Sequence, residues 1–165
     1  MEDLYFDCHI HSNYSQDSLM RPGRILKRAK EVGLTGVAIT DHDTIRGSLD
    51  ARKLEKEVGV TVIPGVEILT DSGDIIGLFV NEEIRTRGWD EVIEEIRGQG
   101  GVAVLPHPYR SHLGIPGLAK AVDLIEVWNA RSTAEQNERA LQLAERLKKP
   151  GIYGSDAHTY GEIGN

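Results

Sequence analysis

Seven short runs rich in β-branched residues mark this chain, at residues 3–10, 36–40, 60–68, 74–80, 101–106, 123–128 and 151–155, and helical periodicity fills most of the gaps between them. Such alternation restricts a chain to a sheet covered by helices, either an open layer or a barrel. "RPGRILKRAKEVG" and "GSLDARKLEKEVG" carry apolar residues at helical spacing, and each ends in a glycine suited to a helix carboxyl cap. Residues 89–99 and 133–149 share that periodicity. "TDSGD", between the third and fourth runs, is too short for a crossover helix and predicts a hairpin, so one connection is expected to be antiparallel. No repeat, low-complexity tract or linker interrupts the pattern, and 165 residues suffice for one continuous core, so a single domain over 1–165 is expected.

The polar residues choose between the two shapes. "HIHS" closes the first run, "TDHD" the second, "GVE" the third, "LPHP" the fifth, "IEVWN" the sixth and "SDAH" the seventh. In a barrel all carboxyl ends meet on one rim, where such folds assemble active sites, whereas an open sheet spreads them along an edge. A small, distorted barrel of the α/β class therefore fits better.

Composition removes several functions. The formal charge is −7, and the bases are spread along the chain without a tract that could follow a long phosphate backbone, although a short nucleic-acid end still fits a cleft. One cysteine, Cys8, excludes an internal disulfide and fits a reducing compartment. "MEDLYFD" lacks a basic or long apolar leader, and runs such as "GVAVL" are too short to span a bilayer, so a cytoplasmic protein without a membrane partner is expected. Oligomeric state is left open.

Five of the six histidines, His9, His11, His42, His107 and His158, fall at strand ends, and His112 lies a few residues into a loop. Residues two apart on a strand share a face, so His9 and His11 project together, as do Asp156 and His158. A single histidine at such a place is most often a packing residue; the coincidence of five points instead to metal ligation. Glu67 and Asp156 end apolar strands that contain no base other than histidine, and a cation would make their burial favourable. Asp17 reads either as a ligand or as a turn cap. Asp7, Asp41 and Asp43 read either as acceptors that fix an imidazole's tautomer or as solvated turn residues. Imidazoles and carboxylates without thiolates suit Zn²⁺, Mn²⁺ or Fe²⁺, and eight or nine donors imply two or three ions, an arrangement suited to attack on a phosphoester.

From residue 4 to about 163 the ordered set "DCHIHSNYSQDS", "AITDHDT", "IPGVEI", "LPHP", "IEVWNAR" and "GSDAH" resembles the PHP domain (polymerase and histidinol phosphatase). The resemblance implies a distorted (β/α)7 barrel of the TIM-like type with a cluster of commonly three ions at its carboxyl rim. It implies that His9, His11, Glu67 and Asp156 hold one metal, that Glu67 bridges to a second held by His107, and that Asp17, His42 and His158 hold a third. For the remaining donor of the second metal the sixth strand offers Glu126 and Asn129. Glu126 is favoured, because a carboxylate is the better ligand, which leaves Asn129 and Arg131 for a substrate phosphate. Arg131 reads equally well as an ordinary surface residue.

Family members usually continue past the "SDAH" motif, so the chain is expected to be either a minimal form or one lacking a short carboxyl-terminal extension. With no polymerase or other partner domain attached, a stand-alone hydrolase is expected, taking phosphate from a small phosphomonoester, such as a nucleotide or a histidinol-phosphate-like compound, by means of a water deprotonated on a metal, with His9, His11, Glu67, Asp156 and His158 at the reacting centre. Exonucleolytic cleavage of a short single strand is the alternative within catalysis; it requires a stacking platform, for which Tyr14, Tyr109 and Trp128 are available, although packing accounts for them equally well. An amidohydrolase would add a lysine at a strand end, and none is present. A non-catalytic metal-binding module is the remaining class.

Overall fold

A computed structural model describes residues 4–165. Its strands, β1 (Phe6–Ile10), β2 (Gly36–Ile39), β3 (Thr61–Thr70), β4 (Gly73–Leu78), β5 (Val102–Leu105), β6 (Leu124–Asn129) and β7 (Gly151–Gly154), form one sheet in chain order and coincide with the seven expected runs. The expected start at residue 3 lies outside the described residues. β1 returns to β7: the Asp156 amide donates to the His9 carbonyl (2.8 Å) and the His11 amide to the Ala157 carbonyl (2.9 Å). These bonds nearly close the sheet into the expected barrel.

β4 runs against both β3 and β5, while every other neighbouring pair is parallel. The hairpin reading of "TDSGD" holds, but a reversed strand has two antiparallel neighbours rather than one. Its amino end, not its carboxyl end, thus reaches the rim.

Seven helices stand among the described residues where four were expected. α1 (Pro22–Glu31) begins on proline, whose missing N–H needs no partner in the first turn, and α7 (Ala134–Leu147) begins on a capping box between Thr133 and Gln136. α4 (Trp89–Gly98) falls where the periodicity placed it. The stretch expected as one helix over 47–59 divides into α2 (Arg46–Arg52) and α3 (Glu55–Val58). Between them the Leu54 amide bonds Ala51 three residues back (2.9 Å), a tightened turn that carries the Leu54 side chain onto Gly23 of α1. α5 (Pro108–Ser111) and α6 (Ile115–Ala121) are additional, bringing the described helices to seven; Gly114, Pro116 and Gly117 dilute their apolar spacing.

Strand alternation sorts the side chains into two sets. Ala38, Ile76, Leu78 and Val104 point inward and plug the barrel together with Ile63, Leu124 and Ile152, a layer contributed by six strands. On the outer face, Val66, Ile68, Ile75, Leu105 and Ile125 pack against α4, α6 and α7, and Val37, Ile39 and Val62 pack against α1 and α3. A fully buried aliphatic side chain of this size is stabilising by about 1.5–3 kcal/mol over an exposed one. Glu67 shares its face with Ile63, so polar groups crown the plug directly.

Candidate metal centre

Four donor atoms converge above the plug. His9 Nε2 lies 3.1 Å from His11 Nε2, 3.3 Å from Glu67 Oε2 and 3.5 Å from Asp156 Oδ1, and His11 Nε2 lies 3.3 Å from each of the same two oxygens. These are five of the six edges of a tetrahedron, and an ion with ligands at about 2.0–2.1 Å requires edges of about 3.3 Å. Hydrogen bonding points the same way. Glu126 Oε1 accepts from His9 Nδ1 (3.0 Å), which leaves the Nε2 lone pair facing carboxylate oxygens, an arrangement that only a cation makes favourable. Burial disfavours charge on both imidazoles, yet the carboxylates outweigh it, holding His9 well above its ordinary pKa and pushing His11 up to about 9. Despite their own burial, Glu67 and Asp156 are held below the usual carboxylate range by the facing imidazoles. The residues fit a divalent ion.

Glu67 faces two ways. Its Oε2 faces His9 and His11 while its Oε1 lies 3.0 Å from His107 Nε2, and Asp74, at the amino end of β4, offers a further oxygen to that pair. A third group lies outward: Asp17 Oδ2 is 2.8 Å from His158 Nε2 and 3.3 Å from His42 Nε2. Eight of the nine residues expected as ligands therefore stand together, in overlapping groups: His9 also meets His107 and Asp156, and His11 meets Asp17 and His158.

Glu126 does not join His107 Nε2. Its Oε2 accepts from the His107 amide (2.7 Å) and from Asn129 Nδ2 (3.0 Å), so both oxygens are engaged beneath the donors rather than among them. Gly154 makes this possible, since a Cβ there would lie 2.3 Å from Glu126 Oε1 and 2.4 Å from His9 Cβ. Asn129, expected at the substrate, is fully buried: its Nδ2 donates to Glu126 and Asp156, and its Oδ1 accepts from the Arg131 amide. Asp7, Asp41 and Asp43 meet no imidazole nitrogen. Asp7 accepts from the amides of Ser155 and Gly164, Asp41 from Ser12, and Asp43 pairs with Arg87. Ser15 instead supports His11 Nδ1 (3.3 Å). His107 and Asp156 both hold positive φ, 28° and 54°, which non-glycine residues adopt at some strain.

Asp74 and Arg110 escaped the sequence reading. Arg110 Nη2 donates to Asp156 Oδ2 (2.7 Å), and the guanidinium lines a cavity of about 440 Å³ with Arg131, Asp17, His42, Glu67, Asp74, His107, Asp156 and His158. Arg131 Nη1 reaches to 2.7 Å from His158 Nδ1. A second cavity, of about 470 Å³, shares Asp17, His42 and Asp74 and adds Tyr14 and Leu69. Tyr109 instead packs under Arg139, and Trp128 lies outside the barrel beside Tyr153. His112, on the loop as expected, meets the Asp74 carbonyl through Nε2 (2.8 Å). Among the described residues no helix is long and apolar enough to cross a membrane.

The PHP domain family matches residues 7–149, and the PHP-associated family matches residues 134–165. An uncharacterized protein of Methanocaldococcus jannaschii is 47% identical over 138 residues, 75% of this chain and 81% of that protein. The 5′-3′ exoribonuclease Rnm of Escherichia coli is 30% identical over 154 residues, 92% of this chain but 41% of the enzyme. The crystal structure of a candidate metal-dependent phosphoesterase from Bifidobacterium adolescentis superposes with a TM-score of 0.81 at 21% identity, covering 99% of this chain and 91% of that one, and so shares the fold. With the family match running through nearly all of the barrel that carries these donors, the chain belongs to the PHP domain family.

Proposed function

We propose that this protein, as one PHP domain over residues 1–165, hydrolyses a phosphomonoester of about nucleotide size at a centre of two or three divalent ions, Zn²⁺, Mn²⁺ or Fe²⁺. The observation that carries this reading is the entry of Arg110 and Arg131 into the cavity lined by the three donor groups. Two guanidinium forks beside clustered ligands suit a phosphate dianion, since paired N–H groups match its oxygens. The first ion is assigned to His9, His11, Glu67 and Asp156, the second to Glu67, His107 and Asp74, and the third to Asp17, His42 and His158. When bound, such ions lower the pKa of water and offset the charge developing on the attacking and leaving oxygens.

The chain's own residues do the rest. Glu126 holds His9 with Nε2 directed at the donors. Asp156 and Asn129 hold the Arg110 guanidinium from below (2.7 and 3.4 Å), so it meets a phosphate already oriented. Arg131 completes the phosphate contact. Tyr14 and Leu69 give the adjoining cavity an apolar wall for the organic part of the ester. The single cysteine supports a cytoplasmic setting.

Removal of nucleotides from a short single strand is the second reading, favoured by the likeness to an exoribonuclease over 92% of this chain. A purely metal-binding module would not need two arginines in the cavity. The test is turnover of protein stripped and reloaded with Mn²⁺ or Zn²⁺, on nucleotide and sugar monophosphates alongside a 5′-labelled RNA. Phosphate release from a monoester is expected; stepwise shortening of the RNA without it would replace the first reading by the second, and no turnover with metal bound would overturn both.

A further inference from the structure

We propose that the face built by α1, α2 and α3 binds the phosphodiester backbone of a short single-stranded nucleic acid whose phosphorylated end enters the metal centre. This rests on the phosphoesterase reading and names the larger substrate to which the hydrolysed group belongs.

The charge of the molecule is segregated. Residues 21–32 and 46–58 contain nine bases and four acids, whereas the remainder contains ten bases and twenty-two acids. Bases that read as spread along the chain are gathered when α1 packs on α2 and α3. Only Arg28 and Lys53 of the nine have a carboxylate within ion-pair distance among the described residues, Glu31 at 3.4 Å and Asp50 at 2.7 Å. Arg21, Arg24, Lys27, Arg52 and Lys56 are exposed and without one. Within this face lies a groove of about 390 Å³, with Arg21, Arg24 and Lys27 along one wall, Leu54 and Val58 as its floor and Glu57 as its one carboxylate.

One tyrosine borders the groove's arginines and another the metal-side cavity. Tyr160, two residues beyond His158, lies under the Arg24 guanidinium (4.7 Å), and its hydroxyl accepts from the Arg21 amide (2.8 Å). Tyr14 lines the metal-side cavity, lies beneath Arg46 (5.6 Å) and donates its hydroxyl proton to Asp50 (2.7 Å), which in turn holds Lys53. Bases interleaved with half-buried aromatic rings are what a single strand requires: cations along the backbone and faces on which bases stack. The apolar side of α1 is already buried, so a membrane surface would meet no insertable face.

The test compares hydrolysis of p-nitrophenyl phosphate with that of a 5′-phosphorylated RNA of about eight nucleotides, in the metal-loaded protein and in R24Q/K27Q, with fluorescence anisotropy of the same RNA as a binding readout. Contact with about four phosphates predicts a KM for the RNA that rises roughly fiftyfold between about 50 and 200 mM salt, and roughly tenfold in the double variant, with the aryl phosphate moving less than about twofold. Equal responses of the two substrates, or heparin binding as tightly as RNA, would overturn the proposal and leave the phosphoesterase reading standing. RNA binding with the expected salt slope, but no hydrolysis of either substrate, would overturn that reading and uphold the binding face.

Discussion

His9, His11, Glu67 and Asp156 are at most 2% exposed and stand within or just past three strands, whereas the side chains of Asp17, His42 and His158 are 41%, 39% and 15% exposed and stand on loops. Both groups join imidazole to carboxylate, but the consequences differ. Buried donors cannot turn to water when an ion leaves; they must take up protons or leave charges unpaired, at a penalty of several kcal/mol per ion. Outer donors relax into solvent. On the proposed assignment the inner group would couple metal to folding, and an ion held by the outer group would exchange more easily.

Single substitutions test that contrast most severely. Asp156→Ala removes a donor of the inner quartet and the acceptor that orients Arg110, and a loss of turnover of at least about 10³-fold is expected, not recovered by added metal. Asp17→Ala removes an exposed donor, and about tenfold is expected, recovered as metal concentration rises. Metal titrations of activity for the two variants check both, and equal losses with equal recovery would dissolve the distinction.

Titration of the metal-free protein comes next in size. His11, raised from about 6.5 to about 9 in the folded state, contributes stability fully present below about pH 6.5 and lost as pH rises through about 9, on the order of 3 kcal/mol. Glu67 and Asp156, held low, act with the opposite sign: their contribution is present above the ordinary carboxylate range and lost as pH falls through their depressed values. The metal-free protein is thus expected to be most stable between about pH 4.5 and 6.5 and to melt progressively lower from pH 6.5 to 9. With metal in place of the protons, the Tm is expected to hold over that same range. Calorimetry at a series of pH values, with and without chelator, reads the difference; a flat metal-free profile would mean that the inner imidazoles carry no proton.

Most of this centre was legible because the strands are short, apolar and ended by their functional residues, so that counting strands also located His9, His11, Glu67, His107 and Asp156. Asp74 was missed for a geometric reason: the search followed carboxyl ends, and β4, reversed by its hairpin, brings its amino end to the rim. The signal lay in "TDSGD" itself, once the reversal was carried one step further. Arg110 was hidden in a helix of four residues, too short for periodicity to register. Asn129 was expected at the substrate because it follows the sixth strand, but alternation and burial cannot distinguish a residue lining the cavity from one lying just under it. The gathering of bases on α1 and α2 required knowledge of which helices touch.

Glu126 gives the finest division of the contrast, because it places a buried carboxylate under the inner group, whereas in the outer group His158 Nδ1 meets a backbone carbonyl, that of Asp156 (2.8 Å). Its Oε1 takes the proton of His9 Nδ1, and its Oε2 takes those of the His107 amide and Asn129. Glu126→Gln keeps the shape and one acceptor oxygen but sets an NH₂ group against donors, either at His9 or at the two on the far side. Whichever way the amide turns, one imidazole loses the bond that orients it or a buried donor is left unpaired. Metal affinity at the inner site is expected to fall about 10–100-fold, with the outer site unchanged and turnover restored by excess metal. Competition against a fluorescent chelator, read as two binding steps, separates the sites. Were Glu126 itself a ligand, as the sequence favoured, the variant would lose a whole binding step and excess metal would not recover it.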